Sequence, residues 1–91
     1  MQKYLVEFLG TLLLTFTILA TGNWLAIGGA LSIAVLLGGA VSGGAFNPAV
    51  AIAYVASGKI SSSDVVPYIV AQIAGALVAF ELVKRMIKAK K

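Results

Sequence analysis

The chain has 91 residues, of which 60% are hydrophobic and 11% are charged, with a net charge of +4. Soluble domains carry about 25% charged residues, and so small a chain has no means of covering this much apolar surface in water, so a bilayer is its expected solvent. The absence of Cys and His, with only three acids, excludes disulfide frameworks, thiolate metal sites and most hydrolytic or acid–base constellations, so neither enzyme activity nor a cofactor or metal is expected.

Three long apolar runs follow in chain order, over residues 4–21, 24–41 and 65–83. A spanning helix needs about 17–25 residues, so each is long enough to cross. The first run has a signal peptide as its alternative, with Lys3 as a basic leader. Glu7 within the apolar stretch, no convincing cleavage site and two later spans oppose that reading. Thr21-Gly22-Asn23-Trp24 reads as a tight turn, with Trp24 at the depth of an interfacial aromatic belt. Small residues recur every fourth position, at Ala26, Ala30, Ala34, Gly38 and Ser42, and again at Ala71, Gly75 and Ala79. Such ladders let helix backbones approach closely in lipid and imply a compact bundle. Residues 57–64 form a polar connection, with Ser63 or Asp64 expected to cap the last span and Pro67 tolerated in its first turn. Five of the seven basic residues fall between Lys84 and Lys91, directly after an apolar span. They read as an interfacial anchor to lipid headgroups, and a nucleic-acid partner is not expected.

Between the second and third spans lies Ser42-Gly-Gly-Ala-Phe-Asn-Pro-Ala-Val50. Asn47 is a favoured N-cap and Pro48 a favoured first helical residue. The helix they start runs only to about Ser57, a rod near 15 Å or half a bilayer core. Ahead of it, Gly43 and Gly44 permit backbone shapes closed to other residues. Irregular backbone at membrane depth is tolerated only when buried in protein or lining a water-filled cavity. Residues 42–57 therefore read as a loop that dips to the midplane and a half-helix that returns. A surface amphipathic helix is the alternative, opposed by the lack of any charge from 48 to 56.

These residues resemble the aquaporin and aquaglyceroporin family. Ser42–Val50 looks like its signature loop, with Asn47, Pro48 and Ala49 as the NPA box. Glu7-Phe-Leu-Gly-Thr11 looks like its first-helix motif, and Pro67–Ala76 like the start of its third helix. The resemblance covers nearly the whole chain but only one of the family's two inverted repeats. It implies an all-α membrane protein, with three transmembrane helices and one re-entrant half-helix completed by an inverted second copy. It also implies roles for single residues. Asn47 would cap the half-helix and point its amide N–H₂ at a permeant, or cap only. The carbonyls of Ser42, Gly43, Gly44 and Ala45 would form an acceptor ladder, or an inert turn. Glu7 would accept backbone N–H groups of the loop, unless it is merely exposed at the interface, and Gln72 would hydrogen-bond within the bundle. Phe46 packs rather than lining a pore. The filter-equivalent positions would be Ile27, Gly44 and Val50. Ala45 replaces a histidine common among relatives, and Val50 stands where the second repeat carries an arginine.

The expected function is a passive channel for water and small neutral solutes such as glycerol, built from two antiparallel copies and assembled as a tetramer of such dimers. Its expected location is the cell membrane, as a multi-pass protein. The alternatives are a non-conducting membrane scaffold and the first half of a longer channel.

Overall fold

The computed structural model describes residues 1–87. It contains four α-helices and, among the described residues, no strand: α1 (Gln2–Thr21), α2 (Trp24–Ser42), α3 (Pro48–Ala56) and α4 (Val65–Ile87), with a 3₁₀ turn over Ser62–Asp64 leading into α4. Three helical segments are long and apolar enough to cross a membrane, Gln2–Thr21, Trp24–Ser42 and Ser62–Ile87. The nine residues of α3 reach about 14 Å and do not cross.

The turn between α1 and α2 follows from two residues. Gly22 takes a left-handed conformation, φ 57°, and closes its N–H on the Ile18 carbonyl at 3.0 Å. Asn23 then restarts the chain as a helix, its Oδ1 accepting the Leu25 and Ala26 N–H groups at 3.0 and 2.9 Å. Trp24 follows, largely exposed at the end of the bundle.

The start of α4 departs from the sequence expectation. The side-chain cap is on the 3₁₀ turn that leads into α4 and comes from Ser61, whose Oγ accepts the Ser63 N–H at 3.2 Å. The Asp64 carboxylate turns to α1 instead and accepts from Lys3 Nζ at 2.9 Å and Tyr4 OH at 2.7 Å. Tyr4 and Lys3 between them take both oxygens of the carboxylate, and the ammonium adds an ion pair that a helix N–H does not bring. This pairing places the starts of α1 and α4 on one face of the bundle, while α2 runs the other way. At the far end of α4, Glu81 lies 3.4 Å from Lys84 and 3.6 Å from Arg85. Lys88, Lys90 and Lys91, most of the expected basic anchor, lie outside the described residues.

Helix α1 packs along both α2 and α4, and α3 packs on α4. The inward faces follow the small-residue ladders. Helix α2 buries Ala30, Ala34, Gly38 and Ser42, and α4 buries Tyr68, Gln72, Gly75 and Ala79, while Ala26 and Ala71 are half-buried. Large side chains such as Leu36, Val70 and Leu77 point outward, which lipid accepts without penalty. The closest approach is at Gly75. A Cβ there would run into the Phe8 carbonyl oxygen and stand 3.2 Å from the Leu12 nitrogen. Both obstacles are backbone and cannot rotate away. Gly75→Ala is therefore expected to push α4 off α1 and to cost about 1–3 kcal/mol, measured by SDS-titrated unfolding in mixed micelles.

Candidate functional site

The site is the segment between α2 and α4. Gly43 ends α2 with φ +87° and donates to the Gly39 carbonyl at 2.8 Å. Gly44 continues with φ +70°, and Phe46 is the one non-glycine with positive φ among the described residues, at +54°. Such a conformation costs of order 1–3 kcal/mol. Burial of the ring, worth about 1.5–3 kcal/mol, offsets it. The ring is only 2% exposed and sits in the seam between α1 and α2, where both helices carry glycine. A Cβ on Gly10 would overlap the ring, and one on Gly38 would stand 3.6 Å from it. Gly10 lies near the middle of α1, so Phe46 marks the depth the loop reaches.

Three of the loop's N–H groups are turned inward. Gly44 N–H donates to Ser42 Oγ at 3.1 Å. The remaining two, on Ala45 and Phe46, go to the Glu7 carboxylate at 3.1 and 2.7 Å. That carboxylate is 0% exposed. It also accepts Ser42 Oγ at 2.7 Å and Gln72 Nε2 at 2.8 Å. Four donors from α2, the loop and α4 thus converge on one acid of α1. The carbonyls behave differently. Ser42 O accepts the Tyr68 hydroxyl at 2.6 Å and Gly43 O the Tyr54 hydroxyl at 3.0 Å. Among the described residues, the Gly44 and Ala45 carbonyls accept no hydrogen bond.

Asn47 opens α3 from extended backbone, φ −160°. Its Oδ1 accepts the Ala49 and Val50 N–H groups at 2.7 and 3.4 Å, with Pro48 as the first helical residue. The Asn47 amide nitrogen has no partner among the described residues, and Asn47 and Ala49 are exposed on the chain's surface. On the opposite side of α3, Ala51 is fully buried and packs with Ala45 and Tyr68. At its end Gly58 turns the chain, φ +81°, so that the Lys59 N–H reaches the Tyr54 carbonyl at 2.8 Å. Lys59 then lines the same cleft as Gly43 and Lys3. The segment therefore leaves and re-enters on one face.

The filter-equivalent residues are not all brought together within one chain. Gly44 lies beside Val35 and Gly39, eight and twelve positions beyond Ile27 along α2, or about 12–18 Å. Ile27 and Val50 are both half-buried. Sequence reasoning did not single out Gly10, Tyr54 or Tyr68. Gly10 follows Glu7 by three positions and Tyr68 precedes Gln72 by four, helical spacings that place each beside a residue already marked as polar and buried.

The sequence model for the major intrinsic protein family matches residues 1–91. The chain belongs to this family. It is 44% identical to the glycerol uptake facilitator protein-like 6 of Lactiplantibacillus plantarum, over 98% of this chain and 45% of that protein. It is 33% identical to the aquaporin Z of Bradyrhizobium diazoefficiens, over 90% of this chain and 40% of that one. With the aquaglyceroporin AqpS of Rhizobium meliloti it shares 31% identity, over 93% and 43% respectively. The chain thus spans less than half the length of the curated relatives it matches. No solved structure matches it significantly. As a member of this family, with three membrane-crossing helices, the chain is an integral membrane protein.

Glu7→Gln offers one acceptor oxygen where four donors converge, so at least two donors lose their partner. Each buried unsatisfied donor costs about 1–3 kcal/mol, and a destabilisation of at least about 2 kcal/mol is expected. Faster hydrogen exchange at the Ala45 and Phe46 amides should accompany it. Unchanged unfolding together with unchanged exchange would mean that the acid does not hold the loop.

Proposed function

We propose that the chain forms half of a passive channel for water and small neutral solutes such as glycerol, and that a second copy in inverted orientation forms the other half. The observation that carries this reading is Asn47. It combines a side-chain oxygen committed to the α3 cap with an uncommitted amide, exposed on the chain's surface near mid-depth. A helix N-terminus carries about +0.5 charge. Two such ends, meeting from opposite faces at the midplane, would repel cations and interrupt proton transfer along a water file. The uncommitted Gly44 and Ala45 carbonyls would serve as acceptors on the way in. The names of the relatives, which include glycerol and water channels, support the same class of permeant. Four such dimers would make a tetramer of pores in the cell membrane, with no catalytic chemistry and no cofactor.

The separation along α2 supports the inverted partner. A constriction uniting Ile27 with Gly44 and Val50 would take Ile27 from one copy and the loop residues from the other. Each mouth would then be lined by the same apolar set, without arginine or histidine. Such a constriction would be wider than a water-only filter. The length of the relatives favours a second reading, in which the partner half is a separate segment homologous to their remaining portion.

In stopped-flow measurements on proteoliposomes, both water and glycerol are expected to cross. Asn47→Asp, which keeps the cap but can bring negative charge to the midplane, should lower both fluxes at equal membrane content. Fast water flux with glycerol fully excluded would refute the wide filter, equal fluxes for parent and Asn47→Asp would refute the donor role, and absence of both fluxes would favour a non-conducting scaffold.

An inverted homodimer requires insertion in both orientations. The N-terminal face carries Lys3 and Lys59, and the other face carries Lys84 and Arg85, with Lys88, Lys90 and Lys91 following them in the sequence. The positive-inside rule alone would direct the C-terminal end to the cytoplasm. Accessibility labelling of single cysteines placed near each end should find both populations in cells. A single orientation for every molecule would eliminate the homodimeric pore and leave the separate second half.

A further inference from the structure

Beside the loop, the face shared by the starts of α1 and α4 holds a cleft of about 370 Å³ lined in part by Lys3, Val41, Lys59, Ser61 and Asp64. Its charges do not cancel. Lys3 is paired with Asp64 at 2.9 Å, whereas Lys59 has no carboxylate partner among the described residues. The Lys59 ammonium is nevertheless held in place. Gly58 turns its backbone onto Tyr54, and the ammonium lies 4.6 Å from the centre of the Tyr54 ring. The phenol of that ring is in turn bonded to Gly43. The cleft therefore presents one fixed positive charge at the membrane–water boundary.

A second cavity lies deeper, between α1 and α2. It is an apolar groove of about 220 Å³ between Val6, Gly10 and Leu13 of α1 and Ile33, Leu37 and Gly38 of α2, with Phe46 at its floor. Val6 is one helical turn beyond Lys3, and Leu37 one turn before Val41. The groove thus begins about one helical turn deeper than the cleft along both α1 and α2. We infer that this pair of features binds an anionic phospholipid, with the headgroup phosphate at Lys59 and one acyl chain along the α1–α2 groove. The charge selects the lipid class. A zwitterionic choline headgroup would bring a second cation to Lys59, whereas a phosphatidylglycerol brings only the phosphate. The groove selects a lipid over free phosphate, because a bare anion gains nothing from apolar walls.

The test uses the full chain in dodecyl maltoside, with phosphatidylglycerol, phosphatidylcholine or inorganic phosphate added. Binding is followed by native mass spectrometry and by the shift in thermal unfolding. Phosphatidylglycerol is expected to bind roughly tenfold more tightly than phosphatidylcholine. Lys59→Gln should abolish that preference and Lys59→Arg should keep it, so that a folding defect in the glutamine variant is told apart from loss of the site. Leu37→Asn, which puts an amide into the groove, should weaken both lipids. Equal affinity for the two lipids, a preference that survives Lys59→Gln, or equal protection by inorganic phosphate would each overturn the assignment. An unchanged Leu37→Asn variant would overturn the acyl-chain part. These readouts do not involve permeation, so they stand apart from the fate of the channel reading.

Discussion

A loop that enters a membrane must dispose of its N–H groups, because the hydrocarbon around it offers no water to accept them. The buried Glu7 carboxylate takes two of those groups directly and a third through Ser42, whose hydroxyl donates to the acid while accepting from Gly44. Everything else about the site follows from this sorting. With these donors anchored inward, the carbonyls of Gly44, Ala45 and Phe46 are left without hydrogen-bond partners among the described residues. The direction of α3 is set by the same anchor, since Asn47 directly follows the last N–H that Glu7 holds.

Glycines make the sorting geometrically possible. They act less as flexible joints than as absences of side chain. Gly10 and Gly38 leave the seam that accepts the Phe46 ring, and Gly75 lets α4 lie against the α1 backbone so that Gln72 reaches Glu7. The strained backbone of Phe46 is thereby held by a ring in a slot on one side and a carboxylate on the other. Tyr54 and Tyr68 close the remaining side by occupying the Ser42 and Gly43 carbonyls, so that the turn out of α2 is satisfied within the protein.

Much of the fold can be read in the sequence because a bilayer translates length directly into structure. Apolar runs long enough to cross appear as α1, α2 and α4, and the Asn47-Pro48 pair marks a helix start whose chemistry is local. Glu7 stood out because an acid within an apolar run needs partners. The partners themselves were less legible. Pairing Phe46 with Gly10 depends on two segments thirty-six positions apart, and nothing in the local pattern of either announces it. The cap before α4 was misread for a related reason. Asp64 has the local signature of a cap, but Lys3 and Tyr4, some sixty positions earlier, offer it stronger partners. Ile27 illustrates a further limit. Its place on α2 is plain, but a role in a constriction depends on what lies opposite, which is a property of an assembly rather than of one chain.

The spacing of the Glu7 contacts also bears on how the protein is made. Its partners lie 35, 38, 39 and 65 positions later in the chain. Synthesis proceeds at about 5–20 residues per second, so this acid emerges roughly 3–13 s before the last of them. At the same rate Ser42, Ala45 and Phe46 emerge within roughly 2–8 s of it, and only the Gln72 amide of α4 comes later. The acid thus gains most of its donors with α2 and the loop, and the arrival of α4 completes the set.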